Sequence, residues 1–109
     1  MSLYLGRFSY TSESVKAMVS NPQDRAQAAA QVAESLGGKL VGFWFSFGEF
    51  DGAFLAEAPD NTAAAALSMV VGGSGALAKF ETTVLLTMDE AQEAMGKAAA
   101  AAASYTPPA

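Results

Sequence analysis

The order of strand-forming and helix-forming segments predicts an α+β fold, βαββαβ followed by one more helix, built on an antiparallel four-stranded sheet. Three observations predict it. Residues 39 to 60, KLVGFWFSFGEFDGAFLAEAPD, hold two strand-length apolar runs around the short turn Gly48-Glu49-Phe50-Asp51. Residues 2 to 10 and 77 to 86 read as two further strands, each rich in aromatic or β-branched side chains. Between these runs lie helical stretches closed by the glycine pairs Gly37-Gly38 and Gly72-Gly73.

In the first strand, Leu3, Leu5 and Arg7 project to one side and Tyr4, Phe8 and Tyr10 to the other. Thr11 or Ser12 caps a short helix carrying Val15, Met18 and Val19, which Ser20-Asn21-Pro22 interrupts. Pro22 reads as the first residue of the next helix, behind an Asn21 cap and with Asp24 in the first turn; Ala29, Val32, Ala33 and Leu36 form its apolar stripe. Strands over Lys39–Phe47 and Asp51–Ala58 follow. Asp60 caps a helix through Ala63, Ala66, Leu67 and Val70. After the strand over 77–86, Thr87-Met88-Asp89-Glu90 has capping-box spacing ahead of an alanine-rich helix, which frays into a tail at about 104–109.

This order is that of the ferredoxin-like arrangement, two split βαβ halves, in which helices cover one sheet face. The second strand is apolar on both sides, Val41, Phe43, Phe45 and Phe47 alternating with Leu40, Trp44 and Ser46. A half-solvated sheet tolerates that poorly, so the open face is expected to pack on a second copy.

The chain has 109 residues, room for one domain over 1–109 with a substantial core. Hydrophobic residues make up 51% and charged residues 16%, which excludes disorder by composition. Six basic residues, scattered along the chain, face eleven acidic ones, so a nucleic-acid partner is not expected. Cysteine and histidine are both absent, which removes thiol chemistry and the commonest zinc and haem ligands; no metal site, haem or other cofactor is expected. Without a basic leader or a long charge-free apolar segment, the chain reads as soluble and cytoplasmic, with no membrane partner.

Glu49 and Asp51 stand two apart, a spacing that puts both on one side of an extended strand and suits a proton-carrying pair; they are the candidate catalytic residues. Turn chemistry alone also accounts for Gly-x-x-Asp. Arg7 is the one charge inside the first strand and a candidate anchor for an acidic ligand, or an ion-pair partner. Tyr4, Trp44, Phe47, Phe50 and Phe80 complete the candidate ligand-binding set, with Tyr10 a further aromatic placed to line a pocket between sheet and helices, against the ordinary reading of strand aromatics as core. Gly72-Gly73-Ser74-Gly75 follows a helix rather than preceding one and lacks the GK[ST] ending, so it reads as a cap and turn, not a phosphate cradle.

The chain resembles the GYD-domain family of small bacterial proteins, within the dimeric α+β barrel superfamily. The resemblance runs through Gly6-Arg7-Phe8, Gly37-Gly38-Lys39, Gly48-Glu49-Phe50-Asp51, Glu57-Ala58-Pro59-Asp60 and Thr82-Thr83. The Gly-Tyr-Asp pattern falls on Gly48, Phe50 and Asp51, so phenylalanine replaces tyrosine and any role for a phenolic proton is lost there. The resemblance implies a dimeric barrel; the wider superfamily holds cofactor-free monooxygenases, lactone isomerases, haem enzymes and ligand-sensing domains, and so implies no single reaction. Three functions are expected to compete. One is a homodimer binding a small apolar or aromatic molecule between sheet and helices. Another is a cofactor-free monooxygenase or isomerase using Asp51 or Glu49, and the last a pure assembly unit without ligand.

Overall fold

A computed structural model describes residues 1–109. The elements are β1 (Ser2–Tyr10), α1 (Ser12–Ser20), α2 (Arg25–Ser35), β2 (Lys39–Phe45), β3 (Gly52–Ala58), α3 (Asn61–Gly72), β4 (Leu77–Leu85) and α4 (Met88–Ala101), followed by a single 3₁₀ turn. The strands form one antiparallel sheet in the order β2-β3-β1-β4, the ferredoxin-like βαββαβ order with a helix appended.

Local chemistry sets the element ends. Thr11 caps α1, accepting from the Ser14 amide. Thr87 and Glu90 form the reciprocal capping box at the start of α4, with bonds of 3.1 and 2.9 Å. Gly37, at φ 79°, turns the chain out of α2 in a conformation that costs a side-chain-bearing residue energy, and the Gly38 amide returns to the Ala33 carbonyl. The second helix begins later than its sequence suggests. Asn21 closes α1, and Asp24, not Asn21, caps α2 through the Ala26 amide at 2.9 Å. The Asp24 carboxylate captures the amide two residues on, so Pro22 lies in the link rather than the helix.

β2 and β3 are shorter than expected because Ser46 closes the turn: its amide donates to the Asp51 carbonyl at 2.8 Å and its hydroxyl to the Phe50 carbonyl at 2.8 Å. The strict alternation expected along β2 also fails. The register slips between Leu40 and Gly42, so a bulge at Val41 brings Leu40, opposite Ala56, onto the same face as Phe43, opposite Phe54.

Helices α2 and α3 cover the face bearing Tyr4, Phe8, Phe54, Ala56 and Ala58, all buried. The core falls into two small clusters, one around Tyr4, Ala58 and Ala64 and one around Phe8, Phe54 and Ala56. In the second, the Phe54 ring lies over Gly6 and the Phe8 ring over Gly52, where any Cβ would collide with the ring. The opposite sheet face has no helix over it. α4 leaves the body with no buried residue, and the radius of gyration is 17.5 Å against about 13 Å for a compact chain of this length. No helix is long and apolar enough to cross a membrane.

Candidate functional site

The covered sheet face presents a floor of aromatic rings. Successive centroids run from Tyr10 to Phe45 at 5.7 Å, Phe45 to Phe43 at 6.1 Å, Phe43 to Phe8 at 5.4 Å, Phe8 to Phe54 at 6.3 Å and Phe54 to Phe80 at 6.0 Å. Opposite this floor, α2 contributes mainly short side chains, Ala28, Ala29 and Ala33 beside Val32. Large rings facing small methyls leave space, and a cavity of about 240 Å³ lies between them, closed on its far side by Leu67, Val70 and Val71 of α3. An apolar cavity of about 150 Å³ already holds benzene, so this one suits a molecule of one to two rings. A shallower groove between α3 and β4, about 410 Å³, is lined by Tyr4, Ser68, Met69 and Val84 among others.

Sixteen of the 18 residues lining the cavity are hydrophobic; the others are Arg25 and Ser74. Ser74 is spent on its own turn, donating to the Val71 carbonyl at 2.7 Å and accepting from the Ala76 amide at 3.1 Å. Arg25 donates to the neutral Gln23 Oε1 at 2.9 Å, faces the Tyr10 hydroxyl oxygen as a donor, and enters none of the chain's ion pairs. The Tyr10 hydroxyl stands beside Arg25. Burial pushes its pKa above 10.0, a rise that the Arg25 charge and hydrogen bond oppose and the Asp51 charge assists.

Of the sequence-derived ligand residues, Phe80 lines this cavity, and so does Tyr10. Tyr4 lies deeper, 3% exposed, and its hydroxyl donates to Asn61 Oδ1 at 2.7 Å, fastening β1 to the start of α3. Phe47 sits at the tip of the β2–β3 turn and is 100% exposed. Arg7, Trp44 and Phe50 belong to the uncovered face, away from the cavity. Phe50 is buried there between two cations, with Arg7 at 4.8 Å and Lys79 at 4.5 Å from its ring centre. Trp44, 53% exposed, lays its indole across Gly42.

The two candidate catalytic carboxylates are engaged separately. Asp51 Oδ2 accepts from the Tyr10 amide at 2.8 Å and its own amide donates to the Phe8 carbonyl at 2.8 Å, which anchors the turn to β1. Glu49 pairs with Lys79 Nζ at 3.0 Å, and that hydrogen bond and charge hold its pKa below the usual carboxylate range. Arg7 pairs with Glu81 at 4.0 Å. Neither Glu49 nor Asp51 lines the cavity.

Phe8 and Phe43 are cavity residues outside the candidate set; strand alternation with Phe80 and Phe54 across the sheet is the signal that unites them. Arg25 carries no such signal. It reaches the cavity only because α2 starts one residue after Asp24.

The architecture defines the class: a ferredoxin-like α+β domain with helices on one sheet face and an apolar cavity beneath them. The chain belongs to the GYD domain family, whose sequence model matches residues 4–95. No curated protein matches it. Among solved structures, it is similar to an uncharacterised NIPSNAP-like domain protein from Burkholderia xenovorans, with 12% identity, a TM-score of 0.49, and coverage of 98% of this chain and 89% of that one.

Proposed function

We propose that this GYD-domain protein is a homodimer in which each subunit holds a small, mostly apolar or aromatic molecule between its sheet and helices. The carrying observation is the cavity of about 240 Å³ with an aromatic floor and hydrophobic side chains at 16 of its 18 lining positions. A ligand seated there covers apolar side chains that otherwise meet water, which favours binding.

The dimer rests on surface. The isolated chain exposes 7354 Å², whereas a compact monomer of 11.2 kDa exposes about 5,700 Å². The surplus exceeds the roughly 800 Å² that each partner of a stable complex buries. Across the open face, Leu5 lies between Leu55 and Thr83, and Leu3 between Glu57 and Leu85, with Trp44 alongside. Arg7–Glu81 and Lys79–Glu49 flank this apolar centre. A face with an apolar middle and charges of both signs at one end is suited to pairing with itself.

The catalytic alternative has less support, because Asp51 is committed to a backbone amide and Glu49 to Lys79. Thermal-shift and native mass spectrometry screens against phenols, naphthols and lactones are expected to find ligands that raise the melting temperature by several degrees. A blank result across a broad library would instead support the pure assembly unit.

A further inference from the structure

Resting on the reading of the cavity as a ligand chamber, we propose that its ligand carries one carboxylate, held by Arg25 beside the Tyr10 hydroxyl, with an apolar body over the Phe8, Phe43 and Phe54 rings. Every other polar group around the chamber is spent. Ser74 closes its turn, and the Asp24 carboxylate caps α2 through the Ala26 amide at 2.9 Å and makes no ion pair with the neighbouring Arg25. Asp51, the acid nearest Tyr10, is fixed on the Tyr10 amide at 2.8 Å.

Arg25 is therefore a half-buried cation on an apolar chamber whose side-chain partners, the Gln23 amide and the Tyr10 hydroxyl, are both neutral. A guanidinium has five donors in a planar fork that matches a carboxylate in two parallel bonds. Tyr10, a neutral phenol near pH 7, adds an O–H donor next to that fork. Both groups lie at one end of the aromatic floor, since Tyr10 meets Phe8 edge-on at 5.2 Å and the tilted Phe45 ring at 5.7 Å. A molecule with an acid at one end and rings at the other satisfies the cation and fills the void together. A neutral hydrocarbon does only the second.

The test compares 1-naphthoate with 1-naphthylmethanol, near-isosteres that differ in charge, by calorimetric titration of the full chain. The parent is expected to bind naphthoate at least tenfold more tightly. Arg25→Gln should erase that preference while leaving the alcohol's affinity unchanged, Arg25→Lys should retain part of it, and Tyr10→Phe should reduce it several-fold. Equal affinities in the parent, or a preference that survives Arg25→Gln, would overturn the carboxylate anchor and leave the chamber standing. If neither compound binds the parent, the chamber reading falls and takes the anchor with it. The comparison within the parent needs no variant to fold.

Discussion

The two faces of the sheet are built by the same alternation of side chains, yet they carry different chemistry. The covered face holds rings over glycines and methyls, with no charge within the strands. The uncovered face sets leucines and a tryptophan among Arg7, Glu57, Lys79 and Glu81. Covering helices remove water, so a charge there would need a partner it cannot find. A face that meets another protein can keep paired charges at its rim, where they select the partner and its register. Hydrophobicity alone does not distinguish the two faces; the placement of charge does.

The largest expected effect breaks this contrast at the open face. Leu55→Arg places a cation in the apolar centre and should convert a dimer to a monomer at micromolar concentration, read as a halved mass by light scattering. A parent that is already monomeric would remove the dimer. Next, Phe54→Ala on the covered face should cost about 3–5 kcal/mol in urea unfolding, the usual loss for a buried ring. Trp44→Ala should cost under about 1 kcal/mol in the monomeric Leu55→Arg background, as expected of a half-exposed side chain, and distinctly more in the dimeric parent. Equal costs in both backgrounds would place Trp44 outside the interface.

Tyr10 gives a smaller, pH-dependent effect. Its pKa is raised in the fold, so its contribution is complete below the unfolded value of 10.0 and is lost as pH rises through the folded value. Parent stability should fall across that window, and Tyr10→Phe, which faces the same Arg25 and Asp51 without an ionisable hydroxyl, should flatten the fall in alkaline urea titrations. Glu49 has the opposite sign and the least effect. Its depressed pKa means that the Lys79 pairing contributes above the unfolded value of 4.5 and is lost as pH falls through the folded one, so Glu49→Gln should alter the melting temperature only slightly at neutral pH and flatten the profile below 4.5.

Much of the fold was legible residue by residue. The alternation of Tyr4, Phe8 and Tyr10, the Thr87–Glu90 box and the Gly37 stop each act within a few residues, and each appears in the structure as read. The cap of α2 was misread because Asn21 and Asp24 are both good caps, and the choice depends on where the linking segment lets the helix begin. The bulge at Val41 could not be read at all. It arises from pairing β2 with β3, and it moved Leu40 into the chamber lining. The candidate site was legible only in part, since aromatic residues on strands reveal a period but not which side the helices will choose.

Short-range physics in the amino-acid sequence determined the element order, most of the caps and the partition of β1 into two faces, because these depend on spacing along one segment. Tertiary structure alone decided that Phe50 turns outward between Arg7 and Lys79, that Arg25 reaches an apolar chamber, and that the alanines of α2 stand opposite rings. Those outcomes join residues far apart in the chain. Their energies come from packing and charge across elements, which no local pattern encodes.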